Sequence, residues 1–120
     1  MVRLIASLLI AESMFGCLRL ADLLPRLSTY DLIAVILIFA RGGLNAAQFA
    51  GGWSLAKRQP QGLAIARFAL VGGVVLTPLD IGLNLAPNDI YPWLRWHVTA
   101  GYCAYAVLAA WYLGSLSRRT

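Results

Sequence analysis

The sequence predicts an all-α fold, a four-helix transmembrane bundle running up-down-up-down with both termini in the cytoplasm. Three observations carry that expectation. Of 120 residues, 60% are hydrophobic and only 12% charged, far from the roughly 45–50% apolar and 25% charged usage of soluble domains. The apolar residues fall into four long runs, and a spanning helix needs ~20 of them. Short polar links rich in proline, glycine or charge separate the runs, and short links make sequential helices neighbours. The whole chain is expected to be one membrane domain.

The first run covers residues 2–24. Arg3 followed by Leu4–Ile10 imitates a signal peptide, but Glu12, Arg19 and Asp22 follow without a small-x-small cleavage site, so a retained helix is expected. Pro25, Arg26, Ser28 and Thr29 punctuate its end. The second run, 30–55, closes on Lys57, Arg58, Gln59, Pro60 and Gln61; the third, 62–85, closes on Pro87, Asn88, Asp89 and Pro92; the fourth is 93–116. Pro78 lies inside the third run, where a missing donor frees a carbonyl one turn earlier and predicts a kink beside Asp80.

Orientation follows from the distribution of Lys and Arg. Arg3, Lys57, Arg58, Arg118 and Arg119 share one side, with Arg67 close by. Arg19, Arg26 and Arg95 share the other with Asp22, Asp31, Asp80 and Asp89. The first side is therefore expected to be cytoplasmic, as in a multi-pass protein of a bacterial inner membrane. The net charge of +5 reflects this bias and an attraction to anionic lipid headgroups. No basic stripe with interleaved aromatics exists to bind nucleic acid.

Charge inside an apolar run is costly, ~2.5–3.5 kcal/mol per residue at the centre of a spanning helix, and usually has a partner or a task. Glu12 and Arg41 both fall near the middle of their segments, so an ion pair between them is the simplest expectation. Arg41, Asn45, Gln48 and Gly52 follow helical spacing down one face, as do Glu12, Gly16 and Arg19. Two readings of these polar seams stay open. They zip together as a structural pin, or they line a narrow cavity. An outer-face cluster is expected from Asp80, Asn84, Asp89, Arg95 and His97, the last the single histidine and a candidate proton acceptor. Tyr91, Trp93 and Trp96 fit an interfacial belt.

Small residues mark packing faces: Gly42, Gly43, Ala47, Gly51 and Gly52 on the second helix, Gly72 and Gly73 on the third. Such surfaces let backbones approach closely, within one bundle or between chains. Cys17 and Cys103 lack the spacing of a redox or metal motif and are expected as small buried thiols, with a disulfide between the first and fourth helices as the alternative. One histidine and two dispersed cysteines cannot build a metal centre or a bis-histidine haem site. No nucleophile elbow or phosphate-binding loop occurs. No enzyme and no cofactor are expected.

Leu9-Ile10-Ala11-Glu12, an acid within the first of four apolar helices, resembles the corresponding helix of the small multidrug resistance exporters. The resemblance covers that helix alone and implies a proton- and cation-binding role for Glu12. Gly52-Trp53-Ser54-Leu55 through Arg58-Gln59-Pro60 resembles a step found in short bacterial four-helix membrane proteins of unknown function. That likeness implies topology and no activity. The first functional expectation is a non-enzymatic accessory or assembly subunit, surrounded by lipid and packed as a homo-oligomer or within a larger membrane complex. A homodimeric transporter or channel using Glu12, Arg41, Asn45 and Gln48 is the alternative. Lipid or quinone binding between the third and fourth helices is the second.

Overall fold

The computed structural model describes residues 1–85 and 90–119. Four α-helices occur among the described residues: α1 (Val2–Leu23), α2 (Leu32–Ala56), α3 (Gly62–Thr77) and α4 (Arg95–Arg119). No strand occurs among the described residues. The long axis measures 48 Å, more than the ~30 Å of a bilayer's hydrocarbon core. Three stretches are long and apolar enough to cross a membrane: Val2–Thr29, Leu32–Ala56 and Gly62–Gly82. Four such helices were expected. The fourth, α4, has the length but carries Arg95, His97, Thr99 and three tyrosines among its apolar residues.

Local chemistry sets the helix ends. At Pro25, α1 tightens into a 3₁₀ segment, Leu24–Thr29, and the chain restarts where the Asp31 carboxylate accepts the Ala34 amide at 2.8 Å, an N-cap that satisfies one orphan donor. At the far end of α2, Arg58 takes a left-handed conformation (φ 56°). Its amide donates to the Leu55 carbonyl at 3.1 Å and that of Gln59 to Ser54 at 2.9 Å, which is a Schellman stop with arginine where glycine is usual. The turn lies flat on α2 because residue 62 is glycine: a Cβ there would stand 2.9 Å from the Leu55 nitrogen.

The expected interruption at Pro78 takes the form of a π-helical turn, Pro78–Gly82, in which the Leu83 amide donates to the Pro78 carbonyl at 2.8 Å. Lacking an N–H, Pro78 cannot serve the Val74 carbonyl. The Cys103 thiol of α4 approaches that oxygen instead, at 3.9 Å, a weak contact at the place where a backbone acceptor has lost its own donor. Cys103 is half-buried, and Cys17 is exposed on α1. The expectation of two buried thiols thus fails for Cys17, and both cysteines are free.

The helices pack in chain order, α1 on α2, α2 on α3 and α3 on α4, whereas α1 and α4 scarcely touch. The core follows α3, where Ala66, Ala69 and Leu70 are wholly buried with Leu9 of α1 and Ala106 and Leu113 of α4. Close approach depends on glycine. A Cβ on Gly51 would lie 2.8 Å from the Ala66 Cα, and one on Gly52 2.8 Å from the Ala6 carbonyl oxygen. Gly72 faces Leu44, and Gly73 abuts the Tyr102 hydroxyl. Gly42 is in ordinary contact with Leu20, and Gly43 meets open space. Ala47 packs against the core from its margin.

Replacing Gly51 with valine is therefore expected to destabilise the bundle by about 1–3 kcal/mol, the usual cost of overpacking, whereas Gly43→Ala leaves stability unchanged. Unfolding in mixed micelles followed by far-UV circular dichroism checks both.

Candidate functional site

Asp80 sits on the first turn after Pro78, and its side chain is 1% exposed. Two arginines hold it. Arg19 of α1 donates from Nη1 to Oδ2 and from Nη2 to Oδ1, each at 2.7 Å, the bidentate geometry that gives the strongest charge-assisted pairs. Arg41 of α2 donates from Nε to Oδ2 at 3.1 Å, with Nη2 3.0 Å from the same oxygen, and reaches the Thr77 hydroxyl at 3.3 Å. One carboxylate thereby joins α1, α2 and the turn beyond α3.

This corrects the expected Glu12–Arg41 pair. Arg41 is taken by Asp80, and Glu12 accepts a hydrogen bond from Gln48 Nε2 at 2.9 Å. The physical reason lies in reach and number. The long Arg41 side chain extends beyond its own helical turn, and Asp80, three residues after buried Thr77, falls on the inward face within that reach. The two polar seams do meet: Glu12 faces Gln48, Gly16 faces Asn45, and Arg19 and Arg41 share a carboxylate. Steps forward along α1 match steps backward along α2. Asn45 occupies the space that Gly16 leaves, and a Cβ on Gly16 would overlap its amide.

The expected outer-face cluster does not assemble around Asp80. Asp80 faces Arg19 and Arg41 in place of Arg95 or His97, because its spacing from buried Gly73 and Thr77 puts it on the inward face. His97 is exposed, its Nδ1 2.9 Å from the Trp93 carbonyl oxygen one turn back. Arg95 accepts the Thr99 hydroxyl on its carbonyl at 2.8 Å. Asn84 is exposed in a left-handed conformation. Asp89 lies outside the described residues.

Between α1 and α4, where the bundle is not closed, lies a cavity of about 270 Å³. Glu12, Arg19, Arg41, Asn45, Gln48 and Tyr102 supply its polar wall, and Phe15, Ile81 and Val98 its apolar one. Asn45 is 4% exposed, yet its Nδ2 has no hydrogen-bond partner. The phenols of Tyr102 and Tyr105 stand beside the Glu12 carboxylate, which accepts hydrogen bonds from them. Farther along the same α1–α4 seam runs an apolar groove of about 400 Å³ between Leu4, Ile5 and Leu8 on one side and Tyr105, Leu108 and Trp111 on the other.

Of the sequence-derived candidates, Glu12, Arg19, Arg41, Asn45 and Gln48 come together at this cavity, joined by Asp80 behind the arginines. Sequence reasoning missed Tyr102 and Tyr105 because tyrosines in an apolar run pass for packing or belt residues. It also missed Thr77 as part of the wall. Placing Arg19 and Asp80 at matching depths on the outer halves of their helices was the available signal for that pair. Among the described residues no group of three or more His, Cys, Asp or Glu side chains is placed to hold a metal. Compared with models of protein families, with curated proteins and with solved structures, the chain matches none.

Removing one member of a buried ion pair costs about 3–5 kcal/mol because the other charge is left uncompensated. Asp80→Asn is accordingly expected to destabilise the bundle more than Glu12→Gln. In double-mutant cycles Arg41→Gln should couple strongly to Asp80→Asn and weakly to Glu12→Gln. Urea or thermal unfolding in mixed micelles measures both cycles.

Proposed function

We propose that this chain is a non-enzymatic membrane protein of the carrier class, binding a small solute in the cleft between α1 and α4. In this reading it sits in a bacterial inner membrane as an up-down-up-down bundle with both termini cytoplasmic. The observation that carries the proposal is the cavity itself. Polar groups facing lipid are costly, and an unpartnered buried donor costs about 1–3 kcal/mol, yet Glu12, Arg19, Arg41, Gln48 and Tyr102 converge there around Asn45, whose Nδ2 has no partner among the described residues. An apolar lining of the same volume would be cheaper to build, so the arrangement has the character of a site. Convergent polar groups in an otherwise apolar cleft are the usual make-up of a ligand pocket.

A role as an accessory subunit docked through the α2 glycines draws less support. Gly51 and Gly52 are taken up inside the bundle by α3 and α1, which leaves Gly43 on α2 and Gly101 on α4 as the glycines facing open space. A homodimer or a larger complex remains compatible with a carrier, since the outer faces of all four helices carry large apolar side chains.

Thr77 and Thr99 are both buried, at 2% and 4% exposure, but only Thr77 lines the cavity. In a background lacking the native thiols (Cys17→Ser/Cys103→Ser), Thr77→Cys is expected to react with the small neutral reagent hydroxyethyl methanethiosulfonate in proteoliposomes. Thr99→Cys should stay unmodified. Equal resistance of the two would contradict an accessible cleft.

A further inference from the structure

We infer that the occupant of the α1–α4 cleft is a neutral, carbonyl-bearing amphiphile of the isoprenoid quinone type, its ring in the polar cavity and its tail in the apolar groove. The inference rests on the carrier reading and specifies its ligand. Three observations lead to it.

The first is charge. Arg19 and Arg41 on the cavity wall already hold the Asp80 carboxylate, and Glu12 accepts from Gln48. A charged occupant would therefore have to compete with these pairings in a poorly solvated place, where Coulomb energies are several times those in water. The second is hydrogen bonding. Asn45 Nδ2 lines the cavity as a donor without an acceptor, whereas the Asp80 carboxylate is already occupied by two guanidinium groups. What is lacking is an uncharged acceptor, which a ring carbonyl or an ether oxygen provides.

The third observation is shape. The polar cavity and the apolar groove lie in line along one seam, Leu8 standing one helical turn from Glu12 on α1 and Tyr105 one turn from Tyr102 on α4. Because α1 and α4 scarcely touch, this seam opens toward lipid along its length, the route by which a membrane-dissolved molecule enters. Tyr102 and Tyr105 pack edge to face at 6.0 Å, and their rings flank the passage between the two compartments. A planar ring with two carbonyl groups and a long apolar tail meets all three conditions. A fatty acid brings a charge, and a hydrophilic metabolite leaves the groove unfilled.

The test uses the full chain in nanodiscs, with Thr77→Cys in the Cys17→Ser/Cys103→Ser background and decylubiquinone as the probe. Saturable protection of Thr77→Cys from hydroxyethyl methanethiosulfonate is expected. Decanoate and decyltrimethylammonium, equal in chain length but charged, should give none. Adding Asn45→Leu or Asn45→Val should raise the half-protecting concentration about tenfold each, the effect of one hydrogen bond near the upper end of its usual range. Two substitutions guard against misfolding of either one. Leu8→Trp, which fills the groove, should abolish protection, and Phe39→Leu on an exposed face of α2 should leave it unchanged. If Thr77→Cys reacts but decylubiquinone gives no saturable protection, or the charged amphiphiles protect as well, the inference is overturned while the carrier reading stands. If Thr77→Cys does not react at all, both fall.

Discussion

A single buried carboxylate organises this membrane domain. Asp80 takes bidentate donation from Arg19 and further donation from Arg41, so that α1, α2 and the turn after α3 meet at one point. None of the three charges is affordable alone in an apolar setting. Together they are compact, and each depends on the others for its place. The π turn at Pro78 is part of the same device, since it carries Asp80 and ends the regular helix at the depth the two guanidinium groups reach. Helical irregularities of this kind often accompany functional sites, and here one supplies the wall behind the cavity.

With α1 drawn onto α2 and the π turn, its backbone stays apart from α4, and Glu12 meets that helix through the Tyr102 and Tyr105 phenols. The glycines explain how the remaining contacts became so close: Gly16 accommodates Asn45, Gly51 admits α3, Gly52 admits α1, and Gly73 admits Tyr102. Tight packing on three interfaces leaves the fourth as a seam, polar where Glu12 and Tyr102 face one another and apolar where Leu8 faces Leu108. The open seam is therefore a consequence of where the charges pair, and the binding function proposed for it follows from the same source.

Much of this was legible in the amino-acid sequence. Length and apolar runs locate the four helices to within a few residues, and Pro78 marks the interruption of the third. Helical spacing identifies Arg41, Asn45 and Gln48 as one face and Glu12, Gly16 and Arg19 as the face opposite. The choice of ion partner was not legible. Spacing gives faces and approximate depth, but an arginine side chain spans more than a helical turn, so depth alone does not separate Glu12 from Asp80 as the mate of Arg41. Nor does a sequence show that the interruption at Pro78 will take the form of a π turn. Cys103 is a similar case: its nearness to the Val74 carbonyl depends on the packing of α4 against α3.

The pairing itself is open to direct measurement by solid-state NMR. Protein carrying ¹⁵N-labelled arginine and ¹³C-carboxyl-labelled aspartate and glutamate is reconstituted in lipid, with Asp22→Asn removing the exposed Asp22–Arg26 pair. Dipolar recoupling then reports which carboxyl carbons lie in contact with guanidinium nitrogens. One aspartate carbon coupled to two arginines is predicted, with the coupling reduced but not lost in Arg19→Lys or Arg41→Lys and absent in Asp80→Asn. A contact-range coupling from arginine to the Glu12 carboxyl in place of Asp80 would contradict the account.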